Sequence, residues 1–178
     1  MVSAARHRRH PVSHGRRSGP SLTCVPEDPS PTPATRPARP ADLPQLLRWE
    51  RDYIRTVEPA AEAGWTEAID RNLALWVDCL DRTLVLDVDG EPGGSAMWMP
   101  SDGRAMLVGI HVAPALRRRG FGLLLLDAFA AQARAAGHDT LALGVHHANP
   151  AIHLYEGAGY RRTGEDGDYI LMERPAAR

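Results

Sequence analysis

Lysine is missing from the sequence: all 21 basic residues in the 178 are arginine, set against 22 acids for a formal net charge of -1. So even a balance gives no global case for a nucleic-acid or anionic-membrane partner. Two cysteines, Cys24 and Cys79, are too few for a disulfide scaffold or a cysteine-based metal site, which implies a reducing, cytoplasmic setting. No apolar run approaches the length of a membrane span, and none follows Arg8-Arg9 or Arg16-Arg17 to make an export signal. His138, His146 and His147 lack a carboxylate or cysteine at a recognisable metal spacing, so no metal is expected.

The neutral average hides a split. Seven arginines fall within positions 1–40 against Glu27 and Asp28, whereas 14 arginines meet 20 acids in the remainder. The same N-terminal stretch also holds eight of the 15 prolines and almost no large apolar side chains, too little burial to offset the entropy of ordering. We expect residues 1–34 to be a disordered Arg/Pro-rich tail and residues 35–178 to form one domain, a size suited to a single core.

Within that domain the periodicity predicts a helix over about 43–56, opened by Asp42 and Pro44 and carrying Leu46, Leu47, Tyr53 and Ile54 on one face. Glu50 falls beside this face, where an acid has a partner, a task, or a carboxylate in water. A second helix is expected over 66–80 with Thr66 as its cap, followed by a strand at 83–88. Asp89-Gly90 and Gly93-Gly94 predict a hairpin loop before a strand at 95–99, and a third strand covers about 105–112. A helix at 120–136, a strand at 139–146, a short helix at 150–157 and a strand pair at 160–174 complete the pattern. Alternation of this kind implies an α/β (α+β) chain, with a mixed, mostly antiparallel sheet covered by helices on both faces.

The chemistry concentrates between the third strand and the helix at 120. Arg117-Arg118-Arg119-Gly120-Phe121-Gly122 joins them, an arrangement that offers unpaired N–H groups, a positive helix end and guanidinium groups to an anion, or that simply caps a helix with a solvated turn. Neither the Walker pattern GxxxxGK[ST] nor the dinucleotide fingerprint GxGxxG is present.

Arg117-x-x-Gly120-x-Gly122, placed after Val112-x-Pro114, resembles the acetyl-CoA signature of the GNAT superfamily of N-acetyltransferases. Asn149-Pro150-Ala151-Ile152-His153-Leu154-Tyr155-Glu156-Gly157-Ala158-Gly159-Tyr160 is similar to that family's second motif, with Asn149 six rather than the more usual seven residues before Tyr155, and the two motifs stand in the family's order and spacing. Arg36-Pro37-Ala38 with Asp42 resembles the opening and Asp168 to Met172 the closing strand, so the likeness covers about 35–174. Prolines crowd residues 30–38, so a first strand there must be short or at an edge.

The resemblance implies a twisted sheet splayed between the fourth and fifth strands, with the cofactor in the gap. Arg117, Arg118, Arg119, Gly120, Phe121 and Gly122 would hold the pyrophosphate of acetyl-CoA. Ile110 and Val112 would line the cofactor, a backbone N–H near Val112 polarising the thioester carbonyl. Asn149 would contact the cofactor too, and Tyr155 would act as the general acid on the leaving thiolate. The reaction needs an uncharged amine, hence a base. His111, with a reference pKa near neutrality, and Glu50, on the helix flanking the acceptor, are the candidates; His111 is equally able to be a hydrogen-bonded interior histidine. Trp49, Tyr53 and Trp65 are candidates to shape the acceptor site, while Trp98, with Met97 and Met99, is read as packing the sheet, with the border of that site as its alternative. The implied activity is acetyl transfer to an amine of a small molecule, peptide or protein, and the family's frequent dimers make a homodimer an option. A non-catalytic acyl-CoA sensor of the same fold is the alternative, while a nucleic-acid module is disfavoured by the acidic charge of residues 41–178.

Overall fold

The computed structural model describes residues 32–177. Of the tail expected over 1–34, the part up to residue 31, with Cys24, lies outside the described residues. The elements are β1 (Pro33–Pro37), α1 (Leu43–Val57), α2 (Glu62–Glu67), α3 (Ile69–Asp78), β2 (Thr83–Val88), β3 (Glu91–Ser101), β4 (Arg104–Val112), α4 (Phe121–Ala135), β5 (Thr140–His146), α5 (Ile152–Gly157), β6 (Arg161–Asp166) and β7 (Tyr169–Pro175). The seven strands form one sheet in the order β1-β2-β3-β4-β5-β7-β6, antiparallel everywhere except for the β4/β5 pair.

Proline is tolerated in β1 because of its parity. The Ala38 N–H donates to Thr83 O, and in the same register Ala34 and Arg36 face β2 while Pro33 and Pro37 turn their nitrogens outward at the sheet edge. Arg36 then ties the edge to the helical layer. Its guanidinium donates to Asp42 at 2.8 and 3.0 Å and to Asp87 at 2.7 Å. Asp42 therefore spends its carboxylate on Arg36 and the Arg39 N–H, and does not cap α1 with its side chain.

Two expectations need correction. The helix expected at 66–80 is two helices broken at Ala68, and Thr66 lies inside α2 with its hydroxyl bonded back to Glu62 O at 2.7 Å, so it caps nothing. Gly93-Gly94 is sheet, not loop. The turn is made by Asp89 and Gly90 alone, both with positive φ (55° and 86°), as a two-residue hairpin requires. At Gly94 a Cβ would stand 2.5 Å from His111 O, so glycine is there for close strand approach.

The sheet has a core on each face. On one, α4 and α5 pack Phe121, Leu125, Leu126, Phe129 and Tyr155 against Leu86, Trp98, Leu107, Leu143 and Met172. On the other, α1 and α3 pack Leu46, Trp49 and Trp76 against Met97 and Val108. The helix α4 stops where Gly137 enters the left-handed region (φ 86°) and the N–H groups of Gly137 and His138 reach back to Arg134 O and Ala133 O.

Candidate active site

The β4/β5 pairing sets the geometry. These strands are hydrogen-bonded only from Ala105–Leu107 to Leu141–Leu143, and then part. The cause is visible on the other side of β4, where Met97 pairs with Gly109 and Trp98 with Leu107, leaving Val108 as an extra residue. Such a bulge bends its strand and increases its twist. Beyond it the register assigns each amide a direction. Ala113 donates to Gly93 O at 2.8 Å, so in the alternating antiparallel pattern Val112 and Ile110 turn their N–H groups away from β3, into the split.

A cradle for an anion opens at the same end. After the short turn Pro114–Leu116 the chain passes through left-handed conformations at Arg118 (φ 64°) and Gly120 (φ 84°) and enters α4. The first bond to close α4 runs from Leu124 N–H to Gly120 O, leaving the amides of Phe121, Gly122 and Leu123 without a partner inside the helix. Among the described residues, the N–H groups of Arg118, Arg119 and Gly120 have no backbone partner either. Successive free amides of this kind, at the positive end of a 15-residue helix, fit a pyrophosphate. Arg118 and Arg119 are exposed. The Arg117 Nε donates to Val112 O at 3.0 Å, so its guanidinium lies back against the end of β4. Gly122 lets α4 meet α5, since a Cβ there would come within 2.9 Å of Leu154.

Glu50 and His111 both lie between α1 and β4, on the face opposite α4. Glu50 Oε2 lies 4.0 Å from where Gly109 would carry a Cβ, directly beyond the bulge. Burial, with a contribution from the Glu58 carboxylate, pushes the Glu50 pKa up to about 7. His111 is stacked on Trp49 (centroids 4.8 Å apart, planes at 16°), and its Nε2 is enclosed without a hydrogen-bond partner. Burial and then the Arg117 charge push its pKa down to about 4. This is an interior placement, but without the hydrogen bond expected of an interior histidine at Nε2.

Tyr155 is 5% exposed on α5, its ring edge-on to Tyr160 at 5.9 Å. Burial raises its pKa, so the phenol keeps its proton. Asn149 accepts the Ala151 N–H at 2.9 Å and directs Nδ2 towards Tyr53 OH at 3.5 Å, which places it at the start of α5 beside α1. The Trp98 indole is buried on the α4 face and donates to Gln132, away from Glu50.

Two residues of this face were not singled out from sequence. The Glu58 carboxylate accepts hydrogen bonds from Tyr53 OH, at 2.5 Å, and from Tyr169 OH. A glutamate before Pro59, after an expected helix end, reads as a solvated cap, and 111 residues separate it from Tyr169. Nothing in the spacing joins them.

Among the described residues there is no group of three or more His, Cys, Asp or Glu able to hold a metal ion, and no helix is long and apolar enough to cross a membrane. No curated protein matches the sequence. Solved structures do. The PaiA N-acetyltransferase of Thermoplasma acidophilum, in complex with coenzyme A, superposes with a TM-score of 0.67 at 19% identity, covering 81% of this chain and 99% of that one. The ribosomal-protein-S18-alanine N-acetyltransferase of Escherichia coli gives 0.60 at 20% identity over 83% and 96%. The N-acetylglutamate synthase of Neisseria gonorrhoeae, complexed with coenzyme A and N-acetyl-glutamate, gives 0.62 at 17% identity over 83% of this chain and 36% of its own. At such identities these likenesses speak to the fold. The sequence model of the acetyltransferase (GNAT) family matches residues 43–160, more than half of the sequence, and with the split sheet and its cradle of free amides this chain belongs to that family.

Proposed function

We propose that this protein transfers the acetyl group of acetyl-CoA to an amine of a small molecule, peptide or protein, by direct attack of the amine. The observation that carries the reading is the convergence at one split: free amides of residues 118–123 at its cradle, the inward N–H groups of Ile110 and Val112 along its wall, and Glu50 over Gly109 on the far side. Acetyl-CoA, when bound, supplies an activated acyl thioester. The amides of residues 118 to 123 would hold its pyrophosphate, with Arg117, Arg118 and Arg119 adding positive charge. Asn149 would act indirectly, by fixing the start of α5.

Glu50 takes the proton from the incoming ammonium. A carboxyl group with a pKa near 7 is half in its basic form at neutral pH and accepts a proton with useful strength, whereas His111 at about 4 is far weaker. The N–H groups of Val112 and Ile110 face the region where negative charge grows on the carbonyl oxygen, in fixed directions set by the sheet. Tyr155, protonated and enclosed, gives its proton to the departing sulfur as the C–S bond breaks, and the second proton that the acylated nitrogen sheds restores the phenol. The experiment is release of free thiol from acetyl-CoA by the full chain, measured across alkylamines, polyamines, amino acids, aminoglycosides and peptides. We expect turnover with at least one acceptor, lowered about 100-fold or more in Glu50→Gln. Tight cofactor binding with no turnover on any amine would favour the sensor reading instead.

A further inference from the structure

Glu58 is hard to justify as a structural residue. Only 7% exposed, it stands at the C-cap of α1, where the helix dipole disfavours negative charge, and near a second enclosed acid, Glu50. Its partners are two phenols rather than a cation. What those phenols belong to gives the arrangement its meaning. Tyr53 is on α1, which covers β4 through Trp49 on His111 and Glu50 over Gly109. Tyr169 is on β7, which pairs only with β5 and β6, beyond the split. Tyr53 OH also receives Asn149 Nδ2, and Asn149 holds the start of α5, the helix that carries Tyr155.

We infer that Glu58 is a positioning residue of the acyl-transfer site: with Tyr53 and Tyr169 it forms a clasp that joins the two halves of the split sheet across the acceptor face, holding Glu50 over Gly109 with a negative charge beside it. The clasp links α1, which carries the base, to β7 and, through Tyr53 and Asn149, to the start of α5, which carries the acid. It also keeps Glu50 protonated to a higher pH than burial alone would, because ionising Glu50 would place two carboxylates together. The other titratable groups around Glu50 do not supply that effect. From β4 comes His111, uncharged above its low pKa; from β7 comes the Tyr169 phenol, whose pKa is raised by burial and by Glu58. Arg117 and Asp52 act on His111, from β4's end and from the exposed side of α1.

The catalytic meaning of the clasp rests on Glu50 being the base, but its test needs no acceptor. In the full chain labelled with 13C at the glutamate carboxyl carbons, the resonance lost in Glu50→Gln belongs to Glu50, and its titration is followed by NMR. Glu58→Gln removes the charge while its amide can still bond both phenols. The Glu50 midpoint is expected to fall by roughly half to one pH unit in that variant; an unmoved midpoint overturns the inference, whatever the amine assay says of Glu50 as base. Tyr169→Phe leaves the charge and cuts the link to β7, so amide exchange at residues 54–58 is expected to rise about tenfold. Unchanged exchange overturns the clasp, and this variant carries the test if Glu58→Gln does not fold.

Discussion

Replacing Glu50 by Gln is expected to stabilise the fold at alkaline pH, even though it removes the proposed base. The folded protein holds the Glu50 proton more tightly than the unfolded chain does, with a pKa of about 7 against an ordinary 4.5. The energetic cost of ionising it is therefore absent below pH 4.5, grows between 4.5 and 7, and is complete above 7. At ~1.4 kcal/mol for each pH unit, that displacement has a ceiling of roughly 3 kcal/mol, and local relaxation brings the expectation nearer the lower half of that range. Gln is neutral throughout and avoids the cost. Urea denaturation of both proteins at pH 5, 6, 7 and 8 measures it. The variant should gain little at pH 5 and about 1 to 1.5 kcal/mol at pH 8. A difference that does not grow with pH, or a variant less stable than the parent at pH 8, would refute the enclosure of Glu50 on which the base assignment depends. Activity and stability pull in opposite directions at such a site.

Tyr155→Phe should lower turnover about 10- to 100-fold while leaving the acetyl-CoA Kd unchanged, because the buried ring is kept and only the proton donor is lost; steady-state kinetics beside a binding titration separates the two. For His111→Gln, whose parent imidazole is neutral above about pH 4, the kcat/KM profile between pH 5 and 8 should keep its shape, and a lost limb there would return His111 as the base. Gly94→Ala should cost about 3 kcal/mol in urea denaturation, since its Cβ would press on a backbone oxygen that cannot swing aside; a cost under ~0.5 kcal/mol would contradict the strand spacing at Val112.

The strands and α4 were legible because the apolar pattern survives in the residues: Leu84, Leu86 and Val88 recur at every second position of a strand that is buried on both sides, and Phe121 to Ala133 fill one helix face. Glycine misled where it served close packing, as at Gly93-Gly94, because composition cannot tell a turn from a tight strand crossing. The break at Ala68 left no mark. Of the site, the cradle at 117–122 was readable because it is one contiguous segment whose backbone amides, not distant side chains, make its geometry. Glu50 was noticed for lying beside an apolar face, yet its standing against His111 depended on Trp49, Gly109 and Glu58, which only the folded chain assembles. The Glu58 clasp joins a local pair at the end of α1, Tyr53 and Glu58, to Asn149 and Tyr169 through contacts 96 and 111 residues apart in sequence.

In the proposed function the split sheet and the amides of 118 to 123 hold coenzyme A through its pyrophosphate. Isothermal titration of the full chain with acetyl-CoA, and separately with S-acetylpantetheine, which lacks the pyrophosphate and nucleotide, tests it most directly. Saturable acetyl-CoA binding is expected, with at least tenfold weaker binding of the truncated thioester. Equal affinity for the two, or no heat of binding with acetyl-CoA, would contradict it.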